Sequence, residues 1–200
     1  MTGRPLAATR ARLGAAVLTG ALLAAPANAQ VPFRGGPWLD VGIGYGRLRL
    51  TCATCDATGT WGTAITVSVG GAPTRNVLIG VEGQLWLRGG KGPSQRVQSL
   101  IAMVQWYPWP AAGLFLRGGT GVVRGPVAPE AAGVPPASAQ GTGIGLDFGV
   151  GYDLPVSRHF GLTAQAGWNI AALGDLTVNG TTAEDVIAYV TRIGVAVVFR

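Results

Sequence analysis

The residues with the strongest claim to chemistry in this chain are two cysteines, one histidine and a few charges scattered among glycines. Cys52 and Cys55, in TCATCD, are its only cysteines. A C-x-x-C pair can be a redox centre, half a zinc site or a haem attachment point. Haem attachment needs a histidine next, and Asp56 stands there instead. Zinc needs two further ligands, and the sole histidine is the distant His159. Redox thiols favour a helix N-terminus, whereas this segment reads as a loop between strands. The expectation is a disulfide clamping that loop in an oxidising compartment, with the redox pair and the metal half-site as alternatives. No metal and no cofactor is expected.

Ser157 and His159 invite a hydrolase, but no acid stands at a defined spacing from them, so no catalytic residue and no enzyme is expected. Gly89-Gly90-Lys91-Gly92 lacks the Walker spacing, and Gly42-x-Gly44 lacks a following helix, so neither is a phosphate loop. Glu82, Arg117, Asp147 and Arg192, with Gln84 and Gln165, form a balanced set of charges and amides. Two acids and two bases could neutralise one another if the fold brought them together, as buried charges require.

What must position them is plainest in Gly141–Leu154, GTGIGLDFGVGYDL. Even positions are Thr142, Ile144, Leu146, Phe148, Val150, Tyr152 and Leu154; odd ones are glycine, Asp147 or Asp153. Successive strand side chains point to opposite faces, so this is a ribbon with one greasy and one small or charged side. Transmembrane β-barrels have that polarity, apolar toward lipid and small or polar toward the lumen. A soluble lipocalin-like barrel, the rival, would need the reverse.

Composition agrees. Hydrophobic residues make up 48% and charged residues 12%, with mean hydropathy +0.35, yet one apolar run alone approaches helical length. Alternating membrane strands produce that combination. The 33 glycines argue against a helical bundle. Met1–Ala29 has Arg4, Arg10 and Arg12, an apolar core Leu13–Ala25 and Ala27-Asn28-Ala29, the pattern of a secretory signal peptide cleaved before Gln30; an uncleaved anchor helix is the rival. Removing three arginines from a net charge of +6 leaves +3, too little to suggest nucleic acid.

The remainder, residues 30–200, divides into eight alternating segments near 38–50, 60–70, 77–88, 96–107, 113–124, 141–154, 160–172 and 185–199, each close to the ~10 residues a tilted membrane strand needs. No Asp, Glu, Lys or Arg is expected on a lipid face within them. Connections 71–76, 108–112 and 155–159 are short; 51–59, 89–95, 125–140 and 173–184 are longer, the rhythm of periplasmic turns and outer loops. Trp38, Trp106, Tyr107, Trp109, Phe160 and Phe199 are expected at the periplasmic rim, and Tyr45, Trp61, Trp168 and Tyr189 at the outer one. Glu82, Gln84, Arg117, Asp147, Gln165 and Arg192 then face the lumen near mid-height. They read as a polar plug, with a gated proton or ion path as the alternative. Arg47, Arg49, Arg88, Lys91, Arg96 and Arg124 gather at the outer rim. Arg47 and Arg49 are expected to contact lipopolysaccharide phosphates, or else to form a solvated rim.

From Val31 to Arg200 the chain resembles the eight-stranded OmpA/OmpX-type outer-membrane barrel family, most tellingly in VQWYPWPAAGLFLRGGTGV and the ending RIGVAVVF. The resemblance implies an all-β, antiparallel up-and-down barrel in the outer membrane. It also implies that Arg192, Gly194, Val197 and Phe199 form a signal read by the barrel-assembly machinery. Arg200, after that aromatic, departs from the pattern. Some such barrels deacylate lipid A with His, Ser and acid at the outer end, but Ser157 and His159 belong to the other end. The expected function is non-enzymatic: a monomer serving envelope integrity, or surface contacts through loops such as 125–140. The alternative is a binder or conduit for a small apolar ligand or lipid.

Overall fold

A computed structural model describes residues 35–51, 59–89, 95–126, 140–178 and 181–200. The expected signal peptide, Cys52, Cys55, Lys91 and residues 127–139 lie outside them. The strands are β1 (Gly36–Thr51), β2 (Gly59–Thr74), β3 (Val77–Arg88), β4 (Gln95–Trp106), β5 (Leu114–Pro126), β6 (Gln140–Pro155), β7 (Phe160–Val178) and β8 (Thr181–Phe199). Each pairs antiparallel with its neighbour in sequence, and β8 returns to β1 to close an eight-stranded up-and-down barrel. The expected all-β architecture is the observed one.

Sidedness follows the alternation. Ile144 is 70% and Phe148 49% exposed, while Asp147 between them is 3% exposed. Ile43 stands opposite Ile65 on β2 and Val195 on β8, so one row of aliphatics wraps outward around the closure seam. With lipid outside, no backbone donor can be left on a free edge, which is why the sheet closes. Closure also demands close approach. A Cβ on Gly44 would stand 2.3 Å from the Ile193 carbonyl oxygen, and one on Gly62 would stand 2.7 Å from the Trp86 ring.

The connections β2–β3, β4–β5 and β6–β7 share one end, the turn end; a 3-10 turn over Pro110–Ala112 and Gly113 at φ 77° makes the second of them. The opposite, loop end departs from expectation at 173–184. Within it, residues 173–178 are strand in β7 and 181–184 in β8, paired as far as Val178 with Thr181. Its register shifts around Gly174 (φ 76°), and Asp185 holds φ 53°. Bulges of this kind let a ribbon continue where its alternation breaks, which is why the pattern stopped short.

The outward face also needs correction. Arg47, Arg49, Arg96 and Arg124 are all exposed on it, against the expectation of no charge there within the strands. All four lie at the loop end, toward the ends of their strands.

Candidate functional site

The interior is layered rather than uniformly small. Toward the loop end it is apolar, with Leu48, Leu50, Trp86, Val97, Val123, Leu173, Val186 and Val190 buried. Trp86 donates its Nε1–H to the Gly46 carbonyl at 3.1 Å. Toward the turn end Trp38, Leu78, Tyr107, Phe115 and Val198 are buried, and the Tyr107 and Phe115 rings lie 5.6 Å apart. Trp38 and Tyr107 were expected on the rim; strand parity turns both inward, where they narrow the lumen. Trp106, Trp109, Phe160 and Phe199 remain outside, as do Tyr45, Trp61, Trp168 and Tyr189.

Between these apolar layers six strands contribute one polar network. Glu82 on β3 is 1% exposed, and Arg117 on β5 donates to it through both terminal nitrogens, at 2.6 and 2.8 Å. Arg192 on β8 reaches Glu82 at 3.1 Å and Asp147 on β6 at 2.9 Å. The circuit closes with Arg117 to Asp147 at 3.4 Å, so each guanidinium touches both carboxylates. Gln84 donates to Glu82 and Asp147 at 2.7 and 3.0 Å and accepts from Arg192 at 2.9 Å. Gln165 on β7 accepts from Arg117 at 3.0 Å, and Ser68 on β2 donates to Glu82 at 2.9 Å. All six lumen residues named from the sequence are therefore joined in one connected network. Ser68 was not among those six, although the alternation of β2 turns it inward, opposite Glu82.

A second polar group sits nearer the turn end, and sequence reasoning missed it. Asp153 accepts from Thr163 and Tyr107, each at 2.7 Å, and is ion-paired with Arg200. The Arg200 backbone N–H donates to the His159 carbonyl at 2.9 Å. Arg200 shares even parity with Arg192, and that was the available signal for its inward turn. In the adjoining β6–β7 turn, Ser157 Oγ accepts the backbone N–H groups of His159 and Phe160 at 3.2 and 3.1 Å. Ser157 thus shapes a turn, and its hydroxyl is aimed at backbone rather than at the imidazole.

In the assembly stretch, Gly194 packs backbone to backbone against β1, where a Cβ would stand 2.6 Å from the Ile43 carbonyl oxygen. Arg192 is in the lumen network, Val197 is half-buried and Phe199 exposed. At the loop end Arg47 and Arg49 line an outward cleft of about 500 Å³ with Thr51, Tyr189 and Thr191. Arg47 also lies 6.0 Å from the centre of the Trp61 ring, which stacks on Tyr45 at 5.4 Å.

A closed eight-stranded sheet, apolar outside and ion-paired within, admits direct comparison. The crystal structure of the attachment invasion locus protein Ail of Yersinia pestis superposes with a TM-score of 0.50 at 15% identity, over 82% of this chain and 99% of that one. The fold is that of the eight-stranded outer-membrane barrels. Neisserial surface protein A gives a TM-score of 0.49 at 17% identity, over 80% of this chain and 96% of that one. OprG from Pseudomonas aeruginosa gives 0.45 at 13%, over 85% and 99%. At these identities the likeness concerns the fold alone. No protein-family model and no curated protein sequence matches the chain.

Proposed function

We propose that this protein is an integral, non-enzymatic outer-membrane barrel that works through its exterior and loop end rather than as a pore. The carrying observation is the network of Glu82, Asp147, Arg117 and Arg192, buried and mutually paired across the lumen. Eight strands leave an interior just wide enough for side chains to fill, and here cross-linked charges fill it. Reconstituted into planar bilayers, the protein is expected to give no sustained current steps of porin size. Large steady currents would return the lumen to the ion-path reading.

At the rim, Arg47 and Arg49 are read as ligands for lipopolysaccharide phosphates through charge-assisted hydrogen bonds. Their cleft supports this, because its threonine and tyrosine neighbours add hydroxyl groups beside two cations. Replacing both with Gln should lower thermal stability in lipopolysaccharide and leave it unchanged in detergent; equal loss in both media would reject the contact. Within the same proposal the barrel is a monomer, Arg192–Phe199 addresses the assembly machinery, and Cys52 and Cys55 are joined. A thiol titration of the unreduced protein should accordingly find no free thiol.

A second reading, an apolar-ligand binder loaded from the lipid side, has one observation of its own. An outward groove of about 900 Å³ runs over Ala164 and Ala166, between Val150 and Tyr152 on one side and Ile193 and Val195 on the other. Lipid or hydrocarbon surviving purification in stoichiometric amount would favour it.

A further inference from the structure

Gly44 and Gly194 are small because a Cβ on either would strike backbone across the seam. Gly83, in the middle of β3, is different. A Cβ there would meet nothing nearer than the Val67 carbonyl oxygen at 3.9 Å, an ordinary contact, and its φ is not positive. Glu82 beside it is turned inward, so position 83 looks outward. Gly118 on β5, also turned outward, already has the Phe148 ring alongside at 3.9 Å, whereas no side chain borders the space at Gly83. A glycine inside a strand gives up packing, and it often marks a place where something else approaches the backbone closely.

The gap at Gly83 is the floor of an outward groove of about 510 Å³. Val67 on β2 and Leu100 on β4 stand directly across from it, and Val122 on β5 continues the row. One row nearer the loop end the lining turns polar, through Gln98, Arg124 and Thr142, all exposed. Arg96 lies two residues before Gln98, on the same outward face as Arg124. Because Gln98 pairs with Arg124, the two arginines are diagonal neighbours, about 7–8 Å apart along the sheet. Their cross-strand partners are Leu87, Gln98 and Thr142, so no acid faces either of them across a strand.

We propose that this groove seats one molecule of lipid A, with an acyl chain over Gly83 and a phosphate between Arg96 and Arg124. An apolar floor that ends in two cations fits an amphiphile whose anionic head lies toward the loop end. Charge-assisted hydrogen bonds from the guanidiniums hold the phosphate, and Thr142 and Gln98 add polar groups beside it. The loops of such barrels face outward, where lipopolysaccharide is the phosphate-bearing lipid. The site goes beyond the cleft of Arg47 and Arg49, which belongs to β1 and β8, and does not depend on it.

Native mass spectrometry of the full barrel in detergent, titrated with purified lipid A, tests this. Carrying Arg47→Gln and Arg49→Gln throughout removes the other cleft, so this site is read alone whichever way that contact is decided. One lipid A per barrel should still be retained, saturably. Adding Gly83→Leu, which fills the floor without a clash, should weaken retention about tenfold, and so should adding Arg124→Gln. Mobility on an unboiled gel confirms folding, and Arg124→Gln, an exposed change, decides if Gly83→Leu does not fold. The site is overturned if the double variant retains no lipid A, if either added change leaves retention intact in a folded barrel, or if phosphatidylglycerol is retained as tightly.

Discussion

Glu82 illustrates what a buried charge does here. It accepts from Arg117, Arg192, Gln84 and Ser68, so its removal leaves two buried guanidiniums sharing the single carboxylate of Asp147. Replacing a whole buried ion pair with apolar groups is often neutral, whereas removing one partner costs about 3–5 kcal/mol. Glu82→Ala should therefore destabilise the barrel by that order in urea titrations. Adding Arg117→Ala should cost less than the sum of the two single changes, a coupling that a double-mutant cycle reads directly. At the turn end, Arg200→Ala removes the ion pair of Asp153, and a lower midpoint of thermal unfolding is expected. At Ser157 the hydroxyl serves two backbone N–H groups, so Ser157→Ala should loosen a turn without abolishing any reaction.

Among the elements, β6 and the β7–β8 ribbon mark the two limits of what alternation reveals. The expected 141–154 lies within Gln140–Pro155, because residues 141–154 keep their parity. The last strand, expected from 185, begins at Thr181, and β7 runs on to Val178. Register shifts there break period two, so a search for alternation stops early. The overlooked signal was the Asn179-Gly180 dipeptide, a strong mark of a two-residue hairpin. The seam between β1 and β8 makes a different demand. Gly44 and Gly194 face each other across it, and a Cβ on Gly44 would stand 2.9 Å from the Gly194 Cα. Gly44→Val should therefore prevent clean closure, seen as loss of the heat-modifiable band on an unboiled gel. Retention of that band would mean the seam yields more than close packing allows.

For the whole molecule the decisive quantity is the medium outside it. Aliphatic and aromatic side chains cover the outward face, and Ile43, Val195 and Ile193 are 59%, 59% and 64% exposed. Left to water, such a surface would aggregate. Set in acyl chains, it is satisfied. Phe148→Lys, on that belt, should cost about 2–4 kcal/mol of folding stability in liposomes. Replacing Phe148 with Leu should cost far less, and equal losses would argue that the belt does not meet lipid.

Sequence alone determined the strand count, the closure and which face meets lipid, because side-chain parity is a local property that each strand carries in full. It also supplied the types and approximate height of the six central polar residues. Which guanidinium meets which carboxylate was settled only by the tertiary structure, since the stagger of the closed sheet brings β3, β5, β6 and β8 together from 110 residues apart. The same stagger turned Trp38 and Tyr107 into the lumen and brought Arg200 to Asp153. Local alternation tells a side chain which way to point; only closure decides what it finds there.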